Sequence, residues 1–193
     1  MPETKAELRL RLRAARAARS DAERTAAGVA LAAHAAELTG TTIAAFVGIR
    51  SEPPTVPLLE ALAARGVRVL LPVLLDDLDL DWAVFAGPGA LAPGLRQMLE
   101  PDGPPLGRDA IATADLVLVP ALAVDVAGRR LGQGGGSYDR ALPRATAPVV
   151  AVVFSDEVLA TLPVERHDRS VDGVLTPDRG LRWLRESPGG GRR

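Results

Sequence analysis

The sequence contains no cysteine and few aromatic residues. Aromatic side chains make up 3% of its 193 residues. The absence of thiols excludes disulfides, a thiolate nucleophile and cysteine-based zinc or iron–sulfur sites. The shortage of aromatic rings argues against a base-stacking surface for single-stranded nucleic acid. No apolar run approaches the roughly 18 residues that a membrane-spanning helix needs, and the first residues lack the pattern of a secretory signal peptide.

Charge of neither sign dominates the sequence. The 23 Lys and Arg residues against 24 Asp and Glu residues leave a formal net charge of -1. Nothing in that balance attracts nucleic acid or a membrane surface, so any anion site must be local. We therefore expect a cytoplasmic monomer that binds small molecules. Because 47% of the residues are apolar, we predict a single domain over residues 1–186, followed by a flexible tail at 187–193.

The order of apolar and helical segments predicts the fold class. Two helices precede Gly40, and Ser20 with Glu23 has the form of a capping box. Beyond them, segments of strand character alternate with segments of helical character. The predicted strands cover residues 43–47, 67–73, 116–120, 149–154 and 171–175, and the predicted helices cover 56–65, 138–142 and 156–162. Strands joined by helix-length crossovers form parallel sheets covered on both faces, so we expect an α/β protein, a three-layer α/β/α sandwich around a mostly parallel sheet with N-terminal helices.

Two charged segments have a plain structural interpretation. Residues 76–81 are acidic, but their carboxylates alternate rather than converge, which favours a solvated loop leading into a strand near Trp82 over a cation site. The first helix carries a basic stripe opposite its apolar side. The members of the stripe are Lys5, Arg9, Arg13 and Arg16. Such a stripe is usually a solvated face, and it gains a function only if the helix end folds over the glycine cluster at 132–136.

That glycine cluster is the most informative segment, with Arg129 and Arg130 before it and Asp139 after it. Glycines let backbone N–H groups turn towards an anion, and each guanidinium adds a charge-assisted hydrogen bond of about 1.5–3 kcal/mol. The cluster leads into a predicted helix, where phosphates bind in α/β proteins. A GxxxxGK[ST] motif is absent, and Ser137 replaces the last glycine of a GxGxxG counted from Gly132. The spacing favours a polyphosphate-binding loop over a flexible surface loop.

Other acidic residues follow or precede predicted strands, where ligands bind in open α/β sheets. Glu52 stands before two prolines and is either fixed at the mouth of the pocket or an ordinary exposed loop acid. Asp139 and Asp168 are candidates for Mg²⁺ held by carboxylates and phosphate oxygens. The alternative for Asp139 is an acid stabilising a helix start by about 0.3–1 kcal/mol. His167 beside Asp168 has no nucleophile with which to form a hydrolase triad.

Taken together, these motifs resemble the 5-formyltetrahydrofolate cyclo-ligase family, also called 5,10-methenyltetrahydrofolate synthetases. The matching motifs occur in the family's order along almost the whole chain. They are K-x-x-L-R at Lys5, Leu8 and Arg9; S-E-x-x-T at Ser51, Glu52 and Thr55; LLPV at 70–73; Glu100-Pro101; the signature from Pro120 through Asp125, Gly128, Arg130, Leu131 and Gly132 to Tyr138-Asp139; and H-D-x-x-V-D-x-V-x-T from His167 to Thr176.

The resemblance implies an ATP- and Mg²⁺-dependent ring closure of 5-formyltetrahydrofolate to 5,10-methenyltetrahydrofolate, with release of ADP and phosphate. An amide-like formyl oxygen is a poor leaving group, so ATP would phosphorylate it, and the folate's own N10 would then attack. No protein nucleophile is required. Catalysis would rest on positioning and charge neutralisation, which glycine N–H groups, arginines, a lysine and Mg²⁺ supply.

The resemblance also implies the roles of individual residues. The expected ATP-binding residues are Lys5, Arg9, Arg130, Gly132, Gln133, Gly134, Gly135, Gly136 and Tyr138, with Lys5 and Arg130 as the catalytic pair. The folate would contact Val47, Glu52 and Ser137, and Mg²⁺ would be held by Asp139 and Asp168. Two residues depart from the family pattern. Val124 replaces the usual aromatic residue, and Ser137 stands where many members have a tyrosine, which removes a possible stacking surface.

Two other functions remain open on the sequence alone, because a fold by itself fixes no function. One is an enzyme of different chemistry on the same architecture, such as a phosphosugar isomerase or an acyl-CoA transferase relative. The other is a folate- or nucleotide-binding protein without turnover. ATP consumption linked to folate conversion separates the first from a cyclo-ligase, and binding without product would indicate the second.

Overall fold

The computed structural model describes residues 3–163 and 170–184. The predicted tail at 187–193 and the pair His167 and Asp168 lie outside the described residues. The helices and strands, in chain order, are α1 (Lys5–Ala17), α2 (Asp21–Ala33), β1 (Thr42–Ala44), α3 (Val56–Ala64), β2 (Arg68–Leu74), β3 (Leu80–Val84), β4 (Leu91–Pro93), β5 (Leu99–Pro101), β6 (Leu116–Pro120), β7 (Ala123–Asp125), β8 (Arg130–Leu131), α4 (Ser137–Ala141), β9 (Val149–Val152), β10 (Val158–Leu159), β11 (Gly173–Thr176) and β12 (Gly180–Trp183).

Within the described residues, a seven-stranded sheet has the order β12-β11-β9-β6-β1-β2-β3. The five inner strands are parallel, and β3 and β12 close the two edges by antiparallel pairing. The carboxyl ends of the parallel strands therefore meet at one edge of the sheet. In such sheets the crevice outside those ends is where ligands bind.

Hydrophobic residues cover both faces of this sheet. On one face, Leu31 of α2 and Leu58 and Leu62 of α3 pack against the strands and are fully buried. On the other face, Trp82 and Ile111 are the large members of a second core that includes residues of α4. Layers on both sides of a mostly parallel sheet confirm the predicted α/β/α class.

Capping residues set the starts of the first two helices. Thr4 caps α1 in a box with Glu7, and Ser20 caps α2 in a box with Glu23. In each box the hydroxyl accepts from the backbone N–H of the glutamate, whose carboxylate accepts from the backbone N–H of the cap residue. The predicted capping box at Ser20 is confirmed, as are the two helices before Gly40. None of the described helices has the length and hydrophobicity that crossing a bilayer requires.

The predicted helix over 156–162 is wrong. The chain forms a 3-10 turn over Ser155–Glu157 and then the short strand β10, which pairs in parallel with β7. The Glu157 carboxylate accepts the backbone N–H of Phe154 (2.8 Å) and also pairs with Arg16. These long-range contacts override the helical pattern of the segment. The sequence did not predict the small sheet β10-β7-β8 or the hairpin β4-β5.

The acidic segment does lead into a strand that contains Trp82, as predicted, but it is not simply a solvated loop. Asp79 is 6% exposed and binds two arginines. Arg144 Nη2 lies 2.7 Å from Asp79 Oδ1, and Arg108 Nη1 lies 3.1 Å from Oδ2. Asp77 pairs with the same Arg108 at 2.8 Å. Sequence alternation could not show this, because the partners lie about thirty and sixty-five residues away.

Candidate active site

The glycine loop, residues 132–136, joins β8 to α4. Arg130, just before it, donates to the carbonyl oxygen of Pro120 at 3.3 Å, which places the loop at the carboxyl end of β6. Gly136 adopts φ 76°, a left-handed conformation that side-chain-bearing residues rarely adopt. The helix that follows has five residues. Such a short helix contributes little dipole, so anion binding here rests on charged side chains.

Helix α1 lies over this loop. Arg9 Nε donates to the carbonyl oxygen of Gly132 at 3.0 Å, and Arg13 donates to the carbonyl oxygen of Gln133 at 2.9 Å. Lys5 lies one turn before Arg9 on the same side of the helix. The basic stripe was expected to gain a function only if its helix folds over the glycine cluster. The structure meets this condition for Lys5, Arg9 and Arg13.

Arg16, the fourth residue of the predicted stripe, is not on a solvated face. Its side chain is fully buried and forms a two-point ion pair with Glu157, at 2.6 and 2.8 Å. Arg16 also donates to the carbonyl oxygen of Ala121 at 2.5 Å. Burial raises the pKa of Glu157, and the neighbouring guanidinium opposes that rise. Arg16 thus fixes α1 to the ends of β6 and β9.

Further contacts hold α1 in the same position. The Arg19 guanidinium lies 4.0 Å from the centre of the Phe154 ring and pairs with Asp156 at 2.5 Å. Leu8 and Leu12 are buried in a small third core. The other members of that core are Leu122, Ala123, Leu131 and Leu162. Helix α1 is therefore anchored along its length, which fixes its arginines relative to the loop.

Arg130 and Asp139, both predicted site residues, contact each other. Arg130 Nη2 lies 2.5 Å from Asp139 Oδ1. The Arg130 side chain is 6% exposed, and its buried Nε has no hydrogen-bond partner among the described residues. A buried donor of this kind is available to a ligand. Gly132 packs closely here, because a Cβ at that position would lie 3.2 Å from Arg130 Nη1.

The residues present fit a Mg²⁺ ion held jointly by protein and phosphate. The Asp139 carboxylate is 45% exposed and lies beside the loop. Mg²⁺ is usually bound through one or two carboxylates together with substrate phosphates and water. Across 3–163 and 170–184 there is no group of three or more His, Asp or Glu residues that would hold a metal ion without such help. Asp168, the second predicted ligand, lies outside the described residues.

The loop after β1 is held rigidly and presents Glu52. Thr55 Oγ1 donates to the carbonyl oxygen of Phe46 (2.6 Å) and accepts from the Gly48 N–H (2.8 Å). A Cβ at Gly48 would lie 2.1 Å from the carbonyl oxygen of Pro53, so this close approach requires glycine. The Thr55 of the S-E-x-x-T motif is therefore a structural clamp within the loop.

Glu52 is half-buried and not an ordinary exposed loop acid. Its Oε2 accepts the backbone N–H of Ile49 at 3.2 Å, and its Oε1 lies 3.5 Å from Gln133 Nε2. Burial raises the pKa of Glu52, although the Ile49 N–H and the positive charge of Arg16 oppose the shift. The carboxylate thus faces the glycine loop, and its pKa lies above the ordinary value.

Tyr138 connects the two parts of the site. Its hydroxyl is buried without a hydrogen-bond partner among the described residues. Burial raises the pKa of Tyr138, the negative charge of Glu52 raises it further, and Arg130 acts in the opposite direction. The hydroxyl therefore remains protonated, within electrostatic range of both groups. An unpartnered buried hydroxyl costs about 1–3 kcal/mol, which points to a ligand that completes its hydrogen bonding.

The other predicted folate contacts have different surroundings. Val47, which precedes Gly48 in the chain, is buried in the core, and Ser137 is the first residue of α4. Arg96 and Arg140 were not predicted as site residues, yet their guanidinium groups lie beside the glycine loop. Arg140 could have been found from its position four residues after Gly136. Arg96 comes from a distant hairpin, and no local pattern marks it.

Comparison with known proteins gives the family. The model of the 5-formyltetrahydrofolate cyclo-ligase family matches residues 1–177 of the chain. The chain belongs to this family. A 5-formyltetrahydrofolate cyclo-ligase of Mycolicibacterium smegmatis is 46% identical over 156 residues, which cover 77% of this chain and 80% of the relative. The cyclo-ligase of Escherichia coli K12 is 33% identical over 153 residues, covering 74% and 81%.

Solved structures show the same cyclo-ligase fold. The 5,10-methenyltetrahydrofolate synthetase of Aquifex aeolicus superposes with a TM-score of 0.80 at 27% identity, covering 98% of this chain and 95% of that one. The synthetase of Mycoplasma pneumoniae superposes with a TM-score of 0.71, covering 89% and 98%. At 21% identity, the second comparison supports the fold alone. The expected family, fold and enzyme class are confirmed.

Proposed function

We propose that this protein closes 5-formyltetrahydrofolate to 5,10-methenyltetrahydrofolate with ATP, releasing ADP and phosphate. One observation carries the proposal: the basic side of α1, the glycine loop and the Glu52 loop meet at one edge of the sheet. Arg9 bonds to Gly132 on one side of the loop, and Gln133 faces Glu52 on the other. Cationic residues for the phosphates thus adjoin a half-buried carboxylate, an arrangement that suits phosphoryl transfer followed by removal of a proton.

The ATP phosphates would lie between α1 and the glycine loop. Lys5, Arg9 and Arg130 supply positive charge there, and the buried Arg130 Nε supplies a donor that no described residue uses. Gly134 leaves space, since no atom lies within 4 Å of the position where its Cβ would be. At Gly134 the backbone can therefore approach the phosphates closely, and the Tyr138 hydroxyl would donate to one of their oxygens.

Asp139 and Asp168 would hold Mg²⁺ together with the phosphate oxygens, and the ion would withdraw negative charge from the group being transferred. Arg130 Nη2 lies 2.5 Å from Asp139 Oδ1, and this contact orients the Asp139 carboxylate. That pairing keeps both groups beside the loop, so the ion-binding and phosphate-binding residues form one unit. The phosphorylation step itself needs only alignment and charge neutralisation from these residues.

The folate would bind on the Glu52 side, with Val47 below it and Ser137 beside it. Its formyl oxygen attacks the γ-phosphorus, the bond from that phosphorus to the bridging oxygen of ADP breaks, and a phosphorylated formyl group results. N10 then attacks the formyl carbon and loses its proton, and phosphate leaves with the electron pair of the C–O bond. Because burial raises its pKa, Glu52 is suited to accept the N10 proton.

The test is the near-ultraviolet absorbance of the methenyl product. Purified protein is mixed with 5-formyltetrahydrofolate and magnesium, with and without ATP. We expect an increase that requires both ATP and magnesium. An increase without ATP would contradict the proposed mechanism. No increase in folded protein that still binds the folate by calorimetry would instead identify a binding protein without turnover.

A further inference from the structure

The glycine loop has helix α1 on one side and the β4-β5 hairpin on the other. Towards β6 and β9 it is covered by α1, whose Arg16 reaches the ends of those strands. Towards β2 it is approached by the β4-β5 hairpin. The Glu100 carboxylate of β5 accepts the backbone N–H of Leu74, the last residue of β2, at 3.0 Å. This bond anchors the hairpin, whose tip is residues 94–98, to the carboxyl end of β2.

Two arginines occupy this hairpin side. Arg96, at the hairpin tip, has Nη1 3.9 Å from the position that a Cβ on Gly135 would occupy. Arg140, one turn into α4, has Nη1 2.8 Å from the corresponding position on Gly136. Both side chains are exposed. The two guanidinium groups thus lie against neighbouring residues of one loop.

Neither guanidinium forms an ion pair within the part of the chain that the structure describes. Nearby arginines differ in this respect, since Arg108 and Arg144 are both neutralised by Asp79. Two guanidinium groups against one loop, neither of them in an ion pair among the described residues, leave positive charge that a bound anion would neutralise. The surroundings of Arg96 and Arg140 are therefore those of an anion site.

The backbone of Arg96 supports a role beyond the fold. Its φ of 55° and ψ of 26° place it in the left-handed region, which costs a residue with a side chain roughly 1–2 kcal/mol. Glycine would adopt this conformation without that cost. An arginine in strained backbone beside a binding loop points to a contact that the side chain makes with a ligand.

We propose that Arg96 and Arg140 bind the carboxylates of the folate's glutamate tail, an inference that rests on the proposed function. The α1 side already supplies Lys5 and Arg9 for phosphates, whereas the hairpin lies at the end of β2, the strand that neighbours β1 and its Glu52 loop. Apart from ATP, the glutamate tail is the anionic part of the reactants. It extends away from the ring system where closure occurs. A second glutamate adds a further carboxylate, so these arginines favour folates with longer tails.

The experiment measures how affinity depends on the number of glutamates. Calorimetry without ATP gives the Kd of three ligands: 5-formyltetrahydropteroate, which lacks glutamate, and 5-formyltetrahydrofolate with one or three glutamates. We expect Arg140→Ala and Arg96→Gly each to weaken binding of the triglutamate by about 2- to 5-fold, as for an exposed ion pair, and to leave the pteroate unchanged. The loss should shrink as salt is added.

Two controls separate this effect from a change in the fold. Arg68 is an exposed arginine at the start of β2, at the opposite end of the sheet, so Arg68→Ala should leave all three Kd values unchanged. Arg96→Gly removes the backbone strain, so its thermal midpoint should equal or exceed that of the wild type. A binding loss without a stability loss is what a ligand contact predicts and a structural contact does not.

Two results would overturn the inference. An equal loss for the pteroate and the triglutamate would show that the arginines do not bind the tail. A raised KM for ATP with an intact dependence on glutamate number would assign them to the phosphates instead. Methenyl absorbance on the same samples tests the proposed function separately. A wild type that binds the folates in order of tail length but forms no product would refute the ligase and keep the tail site.

Discussion

At the scale of single residues, Arg130 is the cation most closely joined to the proposed phosphate site. It pairs with Asp139, contacts the end of β6 and has one buried donor without a partner in the described part of the chain. We expect Arg130→Ala to remove a charge-assisted phosphate contact of about 1.5–3 kcal/mol and so to raise the KM for ATP roughly 10- to 100-fold. Steady-state kinetics with ATP varied at saturating folate measure the change.

The matched control for Arg130 is Arg68→Ala, which removes an exposed arginine far from the loop. Its KM for ATP should equal that of the wild type. Thermal unfolding of both variants checks that the loss at position 130 is not a folding defect. Unchanged ATP kinetics in folded Arg130→Ala would remove this residue from the ATP site.

Glu52 gives a prediction for activity. Glu52→Gln keeps the size of the side chain and an oxygen to accept the Ile49 N–H, but it cannot take up the N10 proton. Loss of a general base lowers the rate by about 100- to 10,000-fold, so we expect kcat to fall in that range while the KM for ATP changes little. A change confined to the KM for ATP would place Glu52 with the nucleotide.

The same substitution has a pH signature in stability. Burial raises the folded-state pKa of Glu52 above its ordinary value of 4.5, so the protonated form favours folding. That contribution is complete below the unfolded-state pKa and is lost as the pH rises through the folded-state pKa. Glu52→Gln should therefore have the higher thermal midpoint at pH 8, and the difference should disappear near pH 4. An equal difference at both pH values would contradict the shift.

Sequence spacing predicted an individual contact only where the partners are close along the chain, as in the capping box of Ser20 and Glu23. Arg130 and Asp139 were each predicted as site residues, and the ion pair between them is a finding of the structure. Arg13 and Arg16 look alike in the basic stripe, yet one contacts Gln133 and the other is buried against Glu157. That distinction depends on contacts 120 and 141 residues away, which no local pattern contains.

At the scale of elements, the position of α1 depends on a buried ion pair at its end. Removing one partner of such a pair leaves a buried charge and costs about 3–5 kcal/mol. We expect Arg16→Ala to lower the free energy of unfolding by this amount and also to raise the KM for ATP, because Arg9 moves with the helix. Denaturant unfolding and ATP kinetics measure the two effects.

A matched variant of the same helix is Arg11→Ala, which removes an exposed arginine paired with Glu3. It should leave both the unfolding free energy and the KM for ATP close to the wild-type values. If Arg16→Ala lowered stability without affecting ATP, the position of α1 would not determine nucleotide binding.

The sequence predicted an element correctly where the burial of its own residues determines the structure. It failed where pairing with a distant segment determines the structure. Strand β6 lies buried between β1 and β9, and its bounds, 116–120, are those predicted from the sequence. The segment 156–162 has helical character, but Glu157 is bound to Arg16 and β10 pairs with β7. The hairpin β4-β5 was also missed, because its strands have three residues each and are partly exposed.

At the scale of the whole molecule, the site is formed by segments far apart in the chain. Helix α1, the loop after β1 and the glycine loop meet only in the folded protein, through contacts such as Arg9 with Gly132 and Gln133 with Glu52. A ligand that bridges these segments binds the folded state and not the unfolded chain. Ligand binding must therefore raise the stability of the entire domain.

The size of that effect follows from mass action. A ligand at 100 times its Kd adds about 2.7 kcal/mol to the free energy of unfolding. For a chain of this length, each kcal/mol raises the thermal midpoint by about 2–4 °C. We therefore expect ATP with magnesium at that concentration to raise the midpoint by roughly 5–10 °C in the wild type. At the same concentration, Arg130→Ala should show a much smaller shift, because its Kd is higher. Equal shifts in the two proteins would mean that ATP stabilises the fold from a site other than the glycine loop.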